Sequence, residues 1–503
     1  MKTHLVFGTI TIILLIIVIS TRRQESFSYQ RVVDMAEDMA RNGYLSGSPA
    51  VPKVLRELNY DQLRDIRWRD DKTLWRSDAL PFQIRFFLPG GGHLDHSVEI
   101  YQVEGNRAEP VPFRRDFFDF GKNVGLEEKV PLALGFSGFR IHNPINKPDV
   151  LDEVAVFLGA SYFRAVPKGL NYGLSARGLA IGIGEPDGKE EFPTFTKFWL
   201  VKPETFADQM TVYALLESRS VTGAYQFDIT PGVETRMYVR ATLFFRAKVS
   251  NVGFAPLTSM FWFGENTSDT FGNFRPEVHD SDGLLMQTGK GEWIWHPLAW
   301  SKNPQVNIFS DEHPGGFGLL QRDRDFNHYQ DLEAVYHKRP SLWVQPVKGF
   351  EKGSVRLMQF PTDSETWDNV AAYWHPENPP PFLEPVELEY SLRWFGDAGD
   401  LPPVGRVLST RIDYQERPYF RQFFLEFSGG ALDRLTSPPT ADISATTNAQ
   451  ITDVKVEKNE FNKSWRVTFF VSTPDNKKPV DILCRLKNGD EAVSETWSYT
   501  WSP

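Results

Sequence analysis

An all-β chain of two domains is predicted by three features of the sequence. Apolar and polar residues alternate in short runs from about Phe82 onward. Gly, Pro, Asn and Asp punctuate those runs, with no amphipathic helix inserted regularly between them. A polar stretch rich in turn formers, Gly396-Asp-Ala-Gly-Asp-Leu-Pro-Pro403, interrupts the series. The length of 503 residues agrees with two or three domains at about 100–200 residues each. A net charge of −10 excludes a protein that coats nucleic acid, and 41% hydrophobic residues exclude intrinsic disorder. The single cysteine, Cys484, excludes an intrachain disulfide and a Cys-built metal centre. The 14 Trp, 16 Tyr and 39 Phe suit either wide β cores or clefts that hold flat, half-polar ligands such as sugars.

The elements follow in chain order. Residues 1–26 read as a targeting segment: Lys2 precedes an apolar run from Leu5 to Ile19, shorter than the roughly 20 residues of a spanning helix. Cleavage after Ser20 is expected, with an uncleaved anchor as the alternative, and the body of the protein belongs outside the inner membrane. Val32, Met35, Ala36 and Met39 recur at helical spacing before the stop at Asn42-Gly43. Val54, Leu55 and Leu58 repeat the pattern before Asn59. Strands are predicted at Phe82–Phe86, Val98–Val103, Met237–Leu243 and Val355–Met358. Residues 27–395 then form one large antiparallel β-sandwich, and 396–407 form a linker. In residues 408–503, Trp465, Val467, Phe469 and Val471 alternate with Arg466, Thr468, Phe470 and Ser472, and Trp497, Tyr499 and Trp501 are set between Ser and Thr, which predicts a small Ig-like sandwich.

Nucleophile elbows, phosphate loops and paired-Cys sites are absent from the sequence, and Gly90-Gly-Gly92 reads as a turn. Chemistry concentrates between residues 255 and 380, where acids, aromatics and arginines alternate: Arg275-Pro-Glu-Val-His-Asp-Ser-Asp-Gly283, Gly291-Glu-Trp-Ile-Trp295, Arg322-Asp-Arg-Asp-Phe326 and Asp363-Ser-Glu-Thr-Trp-Asp-Asn369. Acids exchange protons, rings stack on sugar faces, and arginines hold hydroxyls or carboxylates. Each segment also has a purely structural reading. His279–Gly283 can be an Asx-rich turn, Asp368-Asn369 can simply open a strand, Trp293 and Trp295 can pack in a core, and Arg322–Asp325 can form ion pairs.

These same segments resemble the osmoregulated periplasmic glucan biosynthesis proteins, the OpgG (MdoG) and OpgD family, with the G type the nearer. The resemblance is carried by Leu158-Gly-Ala-Ser-Tyr-Phe-Arg164, Tyr172-Gly-Leu-Ser-Ala-Arg-Gly-Leu-Ala180 and Ala255-Pro-Leu-Thr-Ser-Met-Phe261. It continues at His279-Asp-Ser, Gly291-Glu-Trp-Ile-Trp295, Gly316-Phe-Gly-Leu-Leu-Gln-Arg322, Asp368-Asn369 and Ser494-Glu-Thr-Trp-Ser-Tyr499. It implies a periplasmic protein with a large sandwich of the mutarotase-like supersandwich type, a C-terminal Ig-like domain, and no metal or organic cofactor. It further implies action on β-1,2-glucan, with Asp368 as general acid and Asp280 as general base of an inverting hydrolase. Asp368 then needs its neutral form favoured by burial or by Asp363 or Glu365, while Arg275 or His279 keeps Asp280 ionised. Trp293, Trp295, Trp367 and Tyr373 are the candidates to stack on glucose rings. A non-catalytic glucan-binding scaffold and a transglycosylase are the competing readings. The partner expected is the glucan and not nucleic acid, with a homodimer and a functional link to a membrane glucan synthase left open.

Overall fold

Period-two alternation builds most of the molecule. In the strand Thr235–Phe245, Met237, Val239, Ala241 and Leu243 are buried while Arg236 and Arg240 are exposed. A strand with one face on a core requires that pattern. The computed structural model describes residues 27–44, 51–185, 189–397, 399–414, 419–474 and 478–502; the targeting segment and its cleavage point lie outside them. Among the described residues, no helix is long and apolar enough to cross a membrane.

The strands assemble into two large sheets. One has 10 strands and runs from Gln83–Phe87 through Gly138–Lys147, Val150–Leu158, Tyr162–Ala165, Ser175–Arg177 and Val252–Ser259. It continues through Val370–Pro376 and Lys352–Gln359 to Gln305–Glu312. The other has 15 strands; its middle passes from Met210–Glu217 across Val221–Thr230, Thr235–Phe245, Pro385–Phe395, Ser341–Lys348, Gly316–Leu320 and Gly283–Gln287 to Trp293–Pro297. Neighbours are antiparallel almost throughout. Between the sheets Phe139, Phe157, Phe163, Phe195, Phe198 and Phe227 stack and meet edge to face. The fold is the all-β sandwich that the alternation predicts.

The helical pattern near the N-terminus is the helix Tyr29–Asn42, which ends at Gly43 with φ 78°. Its Val32, Ala36 and Ala40 press on the outer face of the 15-stranded sheet, against Trp199, Leu215 and Phe244. Of the second pattern, Val54 and Leu55 lie in the helix Lys53–Arg56 and Leu58 lies beyond its end; a further helix that the pattern does not include, Tyr60–Asp65, follows. Asn59 opens the latter: its Oδ1 accepts the Gln62 amide at 2.9 Å, and the Gln62 side chain accepts the Asn59 amide at 3.0 Å.

Beyond the break, Arg406–Asp413, Phe420–Ser428, Trp465–Ser472 and Gln450–Lys458 make a four-stranded sheet. The layer facing it is Thr440–Ala445, Val480–Asn488 and Thr496–Trp501. That layer is not a separate sheet, because Thr496–Trp501 pairs in parallel with Trp293–Pro297 and so prolongs the 15-stranded sheet. Leu285, Trp295, Leu320, Trp343 and Phe395 reach across to complete the core around Phe423, Phe469 and Trp497. At the seam, Arg322 forks onto Glu495 at 2.6 and 2.9 Å, and Glu495 also accepts the Val407 amide at 2.7 Å.

Candidate active site

A short antiparallel pair, Phe261–Phe263 with Val278–His279, fixes the first acid. The Asp280 amide donates to the Met260 carbonyl at 2.8 Å, and the next side chain, Ser281, shares a 2.8 Å hydrogen bond with Ser259. Asp280 is only 7% exposed, and its Oδ1 has no hydrogen-bond partner among the described residues. The nearest guanidinium nitrogen, Arg339 Nε, stands 3.6 Å away. Burial raises the Asp280 carboxyl above the usual aspartate range; Arg339 opposes the shift, and the charge of Asp368 adds to it. The Asx-turn reading of this segment does not hold for Asp282: its carboxylate accepts the distant amides of Arg322 and of Asp323, the latter at 2.8 Å, and Gly283 opens a strand.

The second acid is tied to the first through the backbone. Asn369 enters the strand Val370–Pro376 with its amide spent on three main-chain groups. Its Oδ1 accepts the Phe261 amide at 2.9 Å, and its Nδ2 donates to the carbonyls of Phe261 at 2.9 Å and Phe360 at 2.8 Å. Asn369 therefore clamps the loop that carries Asp368 onto the strand pair that carries Asp280. The Asp368 side chain is 41% exposed and lies 3.7 Å from Arg164, whose Nε is held by Ser175 at 2.6 Å. Arg164 also acts on Asp280, so both carboxyls share one electrostatic neighbourhood. The burial is the reverse of the expectation: Asp280 is the covered acid and Asp368 the open one.

The supporting residues are distributed differently from the expectation as well. Arg275 does not face Asp280; its Nη1 binds Asp331 at 2.6 Å and Glu365 at 2.7 Å, anchoring the loop before Asp368. Glu365 is occupied by this contact and by the Tyr336 hydroxyl at 2.5 Å. Trp367, beside Asp368, is 68% exposed and offers an open ring. Tyr373 does not: it is 1% exposed, packs with Ala180, Ile183 and Met358, and lies so close to Gly253 that a Cβ there would stand 2.6 Å from its ring. Trp295 is buried in the second core beneath the Arg322 guanidinium, 3.6 Å above its ring, and has no free face. Trp293 stacks on Trp343 on the outer side of the sheet.

His279 lies behind Asp280 and is buried. Gln321 Nε2 donates to the carbonyls of His279 and Tyr336, so Gln321 Oε1 must accept from His279 Nδ1 at 3.0 Å. His279 Nε2 meets the Glu277 carboxylate at 2.9 Å, and both ring nitrogens therefore carry protons. Burial opposes this charge, but Asp282 and Glu277 outweigh it and push the imidazole up to about 9. Glu277, His279 and Asp282 have metal-ligating chemistry within 4.8 Å of one another, as do Glu277, Asp323 and His328. In the first group the imidazolium itself supplies the cation. In the second, His328 Nδ1 contacts Asp323 at 2.6 Å, a hydrogen bond that pushes its imidazole up to about 9.

Comparison with known proteins bears on the whole chain. Residues 27–501 match the model of a family described as periplasmic glucan biosynthesis protein, MdoG. The chain belongs to this family. It is 45% identical over 491 residues to a glucans biosynthesis protein G of Ralstonia nicotianae, covering 95% of this chain and 96% of the relative. A glucans biosynthesis protein G of Bradyrhizobium diazoefficiens is 42% identical, with 95% and 94% covered. A probable glucans biosynthesis protein D of Shewanella oneidensis is 40% identical, with 96% and 90% covered.

In this MdoG-family chain, the residues that sequence reasoning passed over are Arg164, Tyr336 and Arg339. Arg164 ends one of the words that carry the resemblance, yet nothing local ties it to residue 368. Tyr336 opens the short 3₁₀ turn Tyr336–Lys338 and Arg339 follows it, a segment without alternation. There Arg339 is steered by the Tyr172 carbonyl at 2.7 Å and lies 5.2 Å over the Tyr336 ring. A groove of about 1170 Å³ is lined by Tyr101, Phe113, Glu190 and Phe192, and neither acid lines it. Its border reaches toward them: Arg177 pairs with Glu190 at 2.7 Å and covers the Tyr162 ring, and the Tyr162 hydroxyl feels the charge of Asp368.

Proposed function

We propose that this chain is a periplasmic β-1,2-glucan hydrolase, endo-acting and inverting, with Asp368 as general acid and Asp280 as general base. The supporting observation is the pairing of an open carboxyl beside a bare tryptophan with a covered carboxyl in the same field of charge. A polymer lying over Trp367 meets Asp368 first. Asp368 then passes its proton to the glycosidic oxygen as the C1–O bond breaks. A water on the opposite face forms the new bond to C1 and releases a proton toward Asp280, which becomes neutral. A base with a raised carboxyl is a stronger proton acceptor, so burial of Asp280 suits this role. Direct activation of the water suits about 6.5–9.5 Å between the carboxyls, and a base acting through a relay allows a longer separation.

The family's description as biosynthetic favours a second reading, in which the same cleft holds or transfers glucan during assembly. A sugar hydroxyl would replace water as acceptor. The deciding experiment incubates purified chain with linear β-1,2-glucan and follows reducing ends, linkage and the anomer first formed. The proposal expects shorter chains with an α-configured new end, and a loss of about 10²–10⁴-fold in Asp368→Asn. Equal rates in the two proteins remove Asp368 from the mechanism, and longer or newly branched products establish transfer.

A further inference from the structure

A second cleft lies on the outer face of the 15-stranded sheet, where the C-terminal part leaves it. It encloses about 510 Å³, within the roughly 300–1,000 Å³ of small-molecule sites. Its wall is Trp293, whose ring lies on the buried Trp343 with centroids 5.7 Å apart and 29° between planes. The lower ring fixes the upper one as a flat platform, and Gly316 permits the packing, since a Cβ there would stand 2.3 Å from Trp343.

Most of the remaining lining is polar and uncharged in sum, with Met237, Leu392 and Leu401 as its apolar part. Gln209, Gln287, Gln345 and Ser391 supply amide and hydroxyl groups, while Arg236 and Arg393 are balanced by Asp228 and Asp400. Flat rings with balanced polar groups match a neutral, hydroxyl-rich ligand in a way that a basic or acidic cleft would not. The position separates this cleft from the acids. Gly283–Gln287 runs away from Asp280, and Trp293 pairs with Gln287 at its far end. At about 3.3 Å per residue, the two places are on the order of 20 Å apart.

We infer that this cleft is a second carbohydrate site, which holds a neutral pyranose segment of a glucan chain away from the acid pair. The identity of the sugar rests on the proposed function; the existence of the site does not. The test is calorimetric titration of the full chain carrying Asp368→Asn with a linear β-1,2-gluco-oligosaccharide. Two binding events per chain are expected. Trp293→Ala should abolish one of them or weaken it at least tenfold. Ser391→Arg, which blocks the cleft and upsets its charge balance while leaving the second core intact, should do the same. Stoichiometry and affinity unchanged within twofold in both variants, or a single event that neither alters, would overturn the inference. Turnover by the wild type is a separate readout, so failure of hydrolysis and failure of this site are distinguishable.

Discussion

Where the C-terminal strands join the 15-stranded sheet, Glu495 receives both arms of Arg322, at 2.6 and 2.9 Å, together with the Val407 amide at 2.7 Å. At the candidate site, Asp280 leaves one oxygen without a hydrogen-bond donor among the described residues, and Arg339 stands 3.6 Å off. Both carboxyls are buried, and both have an arginine for company. The difference is completeness. A carboxylate whose lone pairs are all engaged is inert scaffolding, whereas one that stays desolvated and under-bonded retains the capacity to take a proton. Trp295 and Trp367 repeat the contrast: one is capped by a guanidinium in the second core, and the other is open beside Asp368.

Substitutions that exchange these conditions sharpen the contrast. Glu495→Ala leaves Arg322 buried without its partner, and about 3–5 kcal/mol of stability should be lost. Urea unfolding measures the loss, while the rate per folded molecule on glucan should stay close to wild type. Asp280→Asn should behave oppositely, with smaller size. A carboxyl raised by burial has its ionised form disfavoured in the folded state. Folding stability is therefore lost as pH rises from the ordinary aspartate value of 3.8 through the raised one. Removing that ionisation should add about 0.5–2 kcal/mol at pH 7, in the range of other stabilising exchanges. Urea midpoints at pH 7 and pH 3.5 check this: the gain should shrink at the lower pH, and a loss of stability at pH 7 would contradict it.

Alternation made the sandwich legible, as in Met237–Leu243 and Trp465–Val471, because a strand with one buried face writes its periodicity into the chain. The seam was not legible in that way. It depends on a parallel pairing of Ile294 with Thr496 and Trp295 with Trp497, contacts between segments distant in sequence that leave no local pattern. The same long-range closure explains why Trp295 and Tyr373 resemble ligand-stacking rings in sequence but are buried in packing. Asp280 and Asp368 were reached through words shared with a family, not through periodicity. Arg164 and Arg339 become visible only when the loops close around the two acids.

A double substitution tests most directly whether the two acids act as one unit. Initial rates on linear β-1,2-glucan would be compared for wild type, Asp280→Asn, Asp368→Asn and the protein carrying both changes. Groups serving a single proton-transfer step are strongly non-additive, so the double variant should be no slower than the slower single variant. Wild-type rates in either single variant, or losses that simply multiply, would contradict a shared site.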